Sequence, residues 1–157
     1  MELCILSIGK ISTDWINEGI QNFDSRIGKY LKFSSIILPD IKNVKSLTKE
    51  SIKEEEGKVI LQALNPSDYV ILMDEKGKEY TSRELSGWLQ KQMNSGRKRM
   101  VFILGGPYGF SETVYLRADS KIALSKLTFT HEMAKLFLTE QLYRSLTILK
   151  GEPYHHD

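Results

Sequence analysis

Residues 99–131 read RMVFILGGPYGFSETVYLRADSKIALSKLTFTH, and the fold turns on this stretch. An apolar run of β-forming residues, Val101 to Leu104, stops at Gly105-Gly106-Pro107, with a further glycine at Gly109. Glycine carries no Cβ, so backbone amides and carbonyls there can approach a ligand closely, and proline then fixes the direction of exit. A second apolar run, Ile122-Ala123-Leu124, ends in Ser125-Lys126-Leu127-Thr128-Phe129, just ahead of a long helical pattern. Two strand ends followed by two loops predict one pocket, because open α/β sheets take ligands outside the carboxyl ends of their strands. Glycine and proline also punctuate ordinary loops, so GGP alone is equally a plain strand-to-helix turn.

Outward from this stretch the chain alternates. Glu2 to Ile8 reads as a strand, and Ile16, Ile20, Phe23, Ile27 and Leu31 make one helical stripe with Ser12, Thr13 and Asp14 ahead of it as cap candidates. Phe33 to Leu38 is β-rich and stops at Pro39-Asp40; the lysine-rich Ile41 to Leu47 reads as an exposed loop. Thr48 caps a helix whose inward residues are Ile52, Val59, Ile60, Ala63 and Leu64, and Glu54-Glu55-Glu56 reads as its solvated face. Tyr69 to Met73 is an uninterrupted apolar strand, as expected of one covered on both faces, with Asp74 to Lys78 as the turn after it. Thr81 and Glu84 have capping-box spacing, Gly96 is a stop signal, and Ser111-Glu112 open a short helix. Strand and helix thus alternate five times, which predicts a single α/β domain over residues 1–157: a mostly parallel sheet flanked by helices.

The last helix, from about Glu132 to Leu149, carries apolar residues on two sides. Ala134, Leu138, Leu142, Leu146 and Leu149 form one row; Met133, Leu136, Phe137 and Tyr143 cover another. Such a helix needs two partners, the sheet and either a second subunit or more of its own core.

Composition narrows the function classes. With 157 residues and 41% apolar content the chain can build one full core. A net charge of +2 does not by itself hold a nucleic acid, so clusters matter: Lys91, Arg97, Lys98 and Arg99 form one, Arg26, Lys29 and Lys32 another. The single cysteine, Cys4, excludes an internal disulfide framework and fits a reducing cytoplasm. The short apolar opening runs into Gly9-Lys10 and is not a signal peptide, and no stretch has the length of a membrane span. The glycine loop has neither the lysine and hydroxyl of a P-loop nor the spacing of a dinucleotide site.

Three ordered segments, ILGGPYGF, ALSKLTFTHEMAKLFLTEQLYRSL and the terminal EPYHHD, together with the opening LSIGK, resemble the RlmH (YbeA) family of large-subunit ribosomal RNA pseudouridine methyltransferases, within the SPOUT superfamily. The resemblance spans the chain and implies a C-terminal trefoil knot, a homodimer, S-adenosylmethionine as methyl donor, and methylation of N3 of a pseudouridine in the helix 69 stem-loop of ribosomal RNA. Carried over by position, it assigns cofactor contacts to Met73, Gly105, Leu124, Ser125, Lys126, Leu127, Thr128 and Phe129. Departures are methionine at 73, where leucine is usual, and threonine at 130, where proline usually precedes the histidine; Lys135 fills the basic position of the next turn.

The N3 of pseudouridine bears a proton, so a base or an anion-stabilising group is required. His131, His155 and His156 are the candidates by chemistry, with Glu140 as a carboxylate alternative. Tyr154 is expected to orient the target base, Arg144 in QLYR to bind phosphate or carboxylate or simply to pair with Glu140, and the tail 154–157 to fold over the pocket. Adjacent histidines cannot easily share one ion, and no third ligand is evident, so no metal is expected. The competing reading is a non-catalytic nucleotide- or RNA-binding α/β module with the glycine loop as a phosphate cradle.

Overall fold

A computed structural model describes all 157 residues. Ten main elements alternate: β1 (Glu2–Ile8), α1 (Asp14–Ile27), β2 (Lys32–Leu38), α2 (Lys49–Gln62), β3 (Tyr69–Lys78), α3 (Ser82–Met93), β4 (Arg99–Leu104), α4 (Glu112–Arg117), β5 (Ser120–Ile122) and α5 (His131–Leu149). The strands form one sheet in the order β2-β1-β4-β3-β5, every pair parallel. Apolar runs satisfy both faces by alternation. Leu3, Ile5, Met100 and Phe102 join Leu138, Leu142 and Leu146 of α5 on one side; Cys4, Leu6, Val101 and Ile103 join Ile60 of α2 and Val114 of α4 on the other.

The two-sided apolar pattern of α5 has an internal explanation. The helix lies on the sheet with α1 along one flank and α3 along the other. Gly19 of α1 is tight against it, since a Cβ there would stand 3.0 Å from a Leu136 methyl, and Ser86 of α3 donates to the Ser145 carbonyl at 3.0 Å. Phe137 remains 40% exposed, so only part of the second apolar side is covered within the protomer.

Several local expectations change. Glu56 is not on a solvated face: it is 5% exposed, because α2 turns that side toward the glycine loop. Asp74 to Lys78 is not a turn but a continuation of β3, bulged so that Met73 and Lys78 both align with Ile122. Gly77 makes this possible, because a Cβ there would lie 2.6 Å from the Ile122 backbone. The exposed segment after β2 holds a short 3-10 turn at Val44–Ser46. Thr13 is the N-cap of α1 but makes no side-chain cap bond; instead Glu132 Oε1 of α5 accepts from the Ser12 amide at 2.6 Å and hydroxyl at 2.8 Å. Thr81 and Glu84 form the expected capping box.

One ion pair locks the base of the sheet. Arg99 donates from Nε to Asp68 Oδ1 at 2.8 Å and from Nη2 to Oδ2 at 2.5 Å, while the Asn65 amide also donates to Oδ2. Burial pushes the Asp68 carboxyl up, but these bonds outweigh it and hold the group below its ordinary value. A depressed carboxylate stabilises the fold above its unfolded pKa of about 3.9, and that contribution is lost as the pH falls through the folded value. Arg99→Met strands the Asp68 carboxylate, whose side chain is 1% exposed, at an expected cost of about 3–5 kcal/mol near neutrality. Urea titrations should show that gap narrowing on acidification; a gap unchanged at strongly acid pH would contradict the assignment.

Candidate active site

The carboxyl ends of three neighbouring strands open into one cavity of about 740 Å³. β3 supplies Met73 and Asp74, β4 leads into Leu104 through Phe110, and β5 leads into Leu124, Ser125, Leu127, Thr128 and Phe129. The first turn of α5 closes it with His131 and Ala134. Of the cofactor positions assigned by resemblance, all but Lys126 line this cavity. Its walls combine apolar side chains with the glycine-rich backbone of residues 105–109, and the acidic and lysine side chains among them are Asp74, Glu75 and Lys76. That composition suits an adenosine, whose base needs apolar contact and whose edges need main-chain hydrogen bonds.

The loops are locally determined. A Cβ at Gly105 would stand 2.8 Å from the Phe110 ring, and one at Gly106 would stand 2.3 Å from Glu56 Oε1, so both positions exclude side chains. Gly109 adopts φ +82, the left-handed region. Ser125 Oγ accepts from the Leu127 amide at 3.0 Å, and Thr130 caps α5 by accepting from the Met133 amide at 3.3 Å. At the rim the Tyr115 hydroxyl donates to Asp74 Oδ2; burial and this bond push the phenol up to about 12, so it remains a donor. The His131 ring is held below the usual histidine range, chiefly by burial. It is therefore neutral at pH 7.

A second polar cluster occupies a different part of α5. Glu140 Oε1 accepts from Arg144 Nε at 3.1 Å, from Arg144 Nη2, and from the Tyr154 hydroxyl at 2.9 Å. Arg144 Nη1 is 3.3 Å from His155 Nδ1, and its guanidinium lies over the Tyr154 ring at 4.7 Å. His155 Nε2 is 3.1 Å from Asp157 Oδ1, and Asp157 in turn accepts from Arg83 Nε at 2.7 Å. Gly151 at φ +67 turns the chain off the helix. The tail is thus a built structure, with His156 alone exposed among its aromatic residues.

The expected closure of the tail over the pocket does not occur within one chain. Residues 131 and 144 share one continuous helix, which separates them by ~20 Å along its axis. The structure therefore groups Met73, Gly105, the 124–129 loop and His131 at one site, and Arg144, Tyr154 and His155 at another. Sequence reading missed Glu56, Asp74 and Tyr115; the mid-helix Gly57, pressed against Ser111, was the available signal that α2 approaches the loop closely.

Parallel order and a cavity at the carboxyl ends of three neighbouring strands place the chain among α/β proteins whose strand-end loops enclose a pocket. A family model described as "Predicted SPOUT methyltransferase" matches residues 1–155. A protein named Ribosomal RNA large subunit methyltransferase H from Parabacteroides distasonis is 50% identical over 157 residues, covering 100% of both chains. Proteins of the same name from Christiangramia forsetii, 50% identical over 99% of each chain, and Bacteroides thetaiotaomicron, 43% identical over 100% of each, agree with it. A solved probable methylase family protein from Haemophilus influenzae shares the fold, with TM-score 0.51 at 13% identity over 95% of this chain and 66% of its own. The chain belongs to the SPOUT methyltransferase family.

Proposed function

We propose that the chain transfers a methyl group from S-adenosylmethionine to large-subunit ribosomal RNA, at N3 of a pseudouridine in the helix 69 stem-loop, in the cytoplasm. The observation that carries this reading is the cavity built from three strand-end loops, to which relatives bearing the name of a ribosomal RNA methyltransferase add the substrate class. The trefoil knot of the family belongs to the same reading.

The methyl donor would supply a carbon on a positively charged sulfur. Met73, Leu124, Leu127 and Phe129 provide its apolar walls, and the Gly105 and 124–129 backbones its hydrogen-bond partners. A new N3–C bond forms as the S–C bond breaks, the sulfonium becoming a thioether, while the N3 proton must pass to a base. Positioning of the two reactants supplies much of the acceleration.

In a homodimer the strand-end cavity of one copy and the Arg144–Tyr154–His155 cluster of the other meet. A two-fold axis that lays α5 of one copy antiparallel to its mate sets the first turn of one helix beside the Arg144 region of the other. Exposed apolar side chains near the cavity end of α5 support such a face: Phe137 is 40% exposed with its ring tilted against Phe129 at 5.0 Å, and Trp15 is 62% exposed. Tyr154, fixed by Glu140, then orients the target base. His155, held between Arg144 and Asp157, accepts the N3 proton through Nδ1 once the guanidinium turns toward the nucleotide. A non-catalytic binding module would use the same cavity without the tail cluster.

Titration calorimetry with S-adenosylmethionine, ATP and NAD, followed by methyl-transfer assays on ribosomes, tests this reading. Binding of the methyl donor and not of the nucleotides is expected, with label in the large-subunit RNA. Tight ATP binding without methyl-donor binding would reverse the choice.

A further inference from the structure

The first turn of α3 reaches the tail cluster by two routes. Thr81 and Glu84 close that turn with their capping box, and the two residues between them, Ser82 and Arg83, each bond to a partner distant in sequence. Ser82 Oγ donates to Gln141 Oε1 at 2.9 Å, and Gln141 Nε2 donates to Glu140 Oε2 at 2.8 Å, which leaves Glu140 Oε1 to hold Arg144 and the Tyr154 hydroxyl. Arg83 clasps Asp157: Nε donates to Oδ1 at 2.7 Å and to Oδ2 at 2.9 Å, and Nη2 donates to Oδ2. These bonds hold the Asp157 carboxyl below its ordinary value, so it is ionised at neutral pH.

His155 lies between two charged groups of opposite hydrogen-bonding character. Arg144 Nη1 is 3.3 Å from Nδ1, and a guanidinium only donates, so Nδ1 accepts. Asp157 Oδ1 is 3.1 Å from Nε2, and an ionised carboxylate only accepts, so Nε2 carries the ring proton. Both neighbours select the same neutral tautomer, but they are not equivalent. Arg144 is the group that turns toward the nucleotide in the reaction proposed above, and once it has turned, Asp157 alone fixes the ring. The Asp157 carboxylate bonds to nothing besides His155 and Arg83, so Arg83 sets its place.

We propose that Asp157 is a positioning residue for methyl transfer and that Arg83 is its anchor: the pair holds His155 as the Nε2–H tautomer and keeps Nδ1 bare to receive the N3 proton. In the transfer the electron pair of the N3–H bond stays on N3 and forms the new bond to carbon, the S–C pair goes to sulfur, and the proton rests on Nδ1. A carboxylate on the far nitrogen both fixes the tautomer and stabilises the imidazolium so formed, which afterwards gives its proton to water. The inference rests on the preceding reading for its methyl-transfer arm alone; the tautomer is a property of the free chain.

Long-range proton–nitrogen NMR on the full chain labelled at histidine reads the tautomer with no ligand present. Arg144→Leu removes the donor at Nδ1, as turning of the guanidinium would, and His155 should remain wholly Nε2–H. Adding Asp157→Ala should give a mixture of the two tautomers. On ribosomes, Asp157→Ala and Arg83→Met should each lower kcat about tenfold, the scale of one hydrogen bond to a charged group, with KM and S-adenosylmethionine affinity unchanged. Arg83→Asp combined with Asp157→Arg separates orientation from tethering, because the ion pair is kept while a donor now faces Nε2. Its rate should stay low, whereas a mere tether would be restored. Both side chains are more than half exposed, so these variants fold. Mixed tautomers in Arg144→Leu, an unchanged tautomer on adding Asp157→Ala, or a wild-type rate in the swapped chain overturns the inference. Should the wild type methylate no ribosomal RNA while the tautomer still depends on Asp157, the functional reading falls and the tail link stands.

Discussion

Removal of residues 154–157 is expected to lower methyl transfer by about 10²-fold or more, the scale of an acid–base group, while leaving S-adenosylmethionine binding nearly unchanged. The division follows from geometry: no tail residue lines the strand-end cavity, and the tail's contacts run instead to Glu140, Arg144 and Arg83. A mixed-dimer experiment sharpens it. Gly105→Val drives a side chain into the Phe110 ring and should abolish cofactor binding in its own copy. If the chain pairs as proposed, mixing this variant with the truncated chain should give heterodimers that recover one working site of two when pocket and tail come from different copies, and none when they come from the same copy. A truncated enzyme that methylates ribosomes at the wild-type rate would return the search for the base to His131.

Leu142→Glu should prevent folding outright. Leu142 is fully buried between the sheet and its flanking helices, so an unpaired carboxylate there adds several kcal/mol, about 3–5, to the loss of an apolar side chain from the core. The same holds for Leu138, 2% exposed, so neither position tests dimerisation. Phe137→Glu does, because that ring is 40% exposed and the charge can stay in water. Circular dichroism should find it folded and sedimentation should find it monomeric, with methyl transfer lost. A folded Leu142→Glu monomer would mean that α5 is not the core helix described here, and a dimeric Phe137→Glu protein would move the interface elsewhere.

Periodicity made the sheet legible because both of its faces are apolar and glycine or proline closes the central runs; β1, β4 and the Thr81–Glu84 cap followed from local chemistry alone. What escaped was decided by partners distant in sequence. Glu56 looked solvated because it ends an acidic run, yet its destination is a loop fifty residues later. Ser12 looked like a cap for α1, but its amide and hydroxyl donate to the Glu132 carboxylate instead. The strand character of Asp74 to Lys78 depended on Gly77 lying against Ile122, which polarity conceals. The cavity residues were readable as strand-end loops, whereas the placement of Arg144, Tyr154 and His155 away from them required the length of α5 in space.

The register that pairs Glu2 with Arg99 also sets a timetable for biosynthesis. β1 can meet β2 soon after both leave the ribosome, but the sheet's centre waits for β4, and the α5 residues that cover one face arrive later still. During that interval the apolar strand faces stand open to water and to other nascent chains. Pairings so distant in sequence are slow to close and exposed to aggregation until they do. This domain completes its core after nearly the whole chain has been made, so slowing translation of its last third should lengthen its dependence on holding chaperones rather than help it fold.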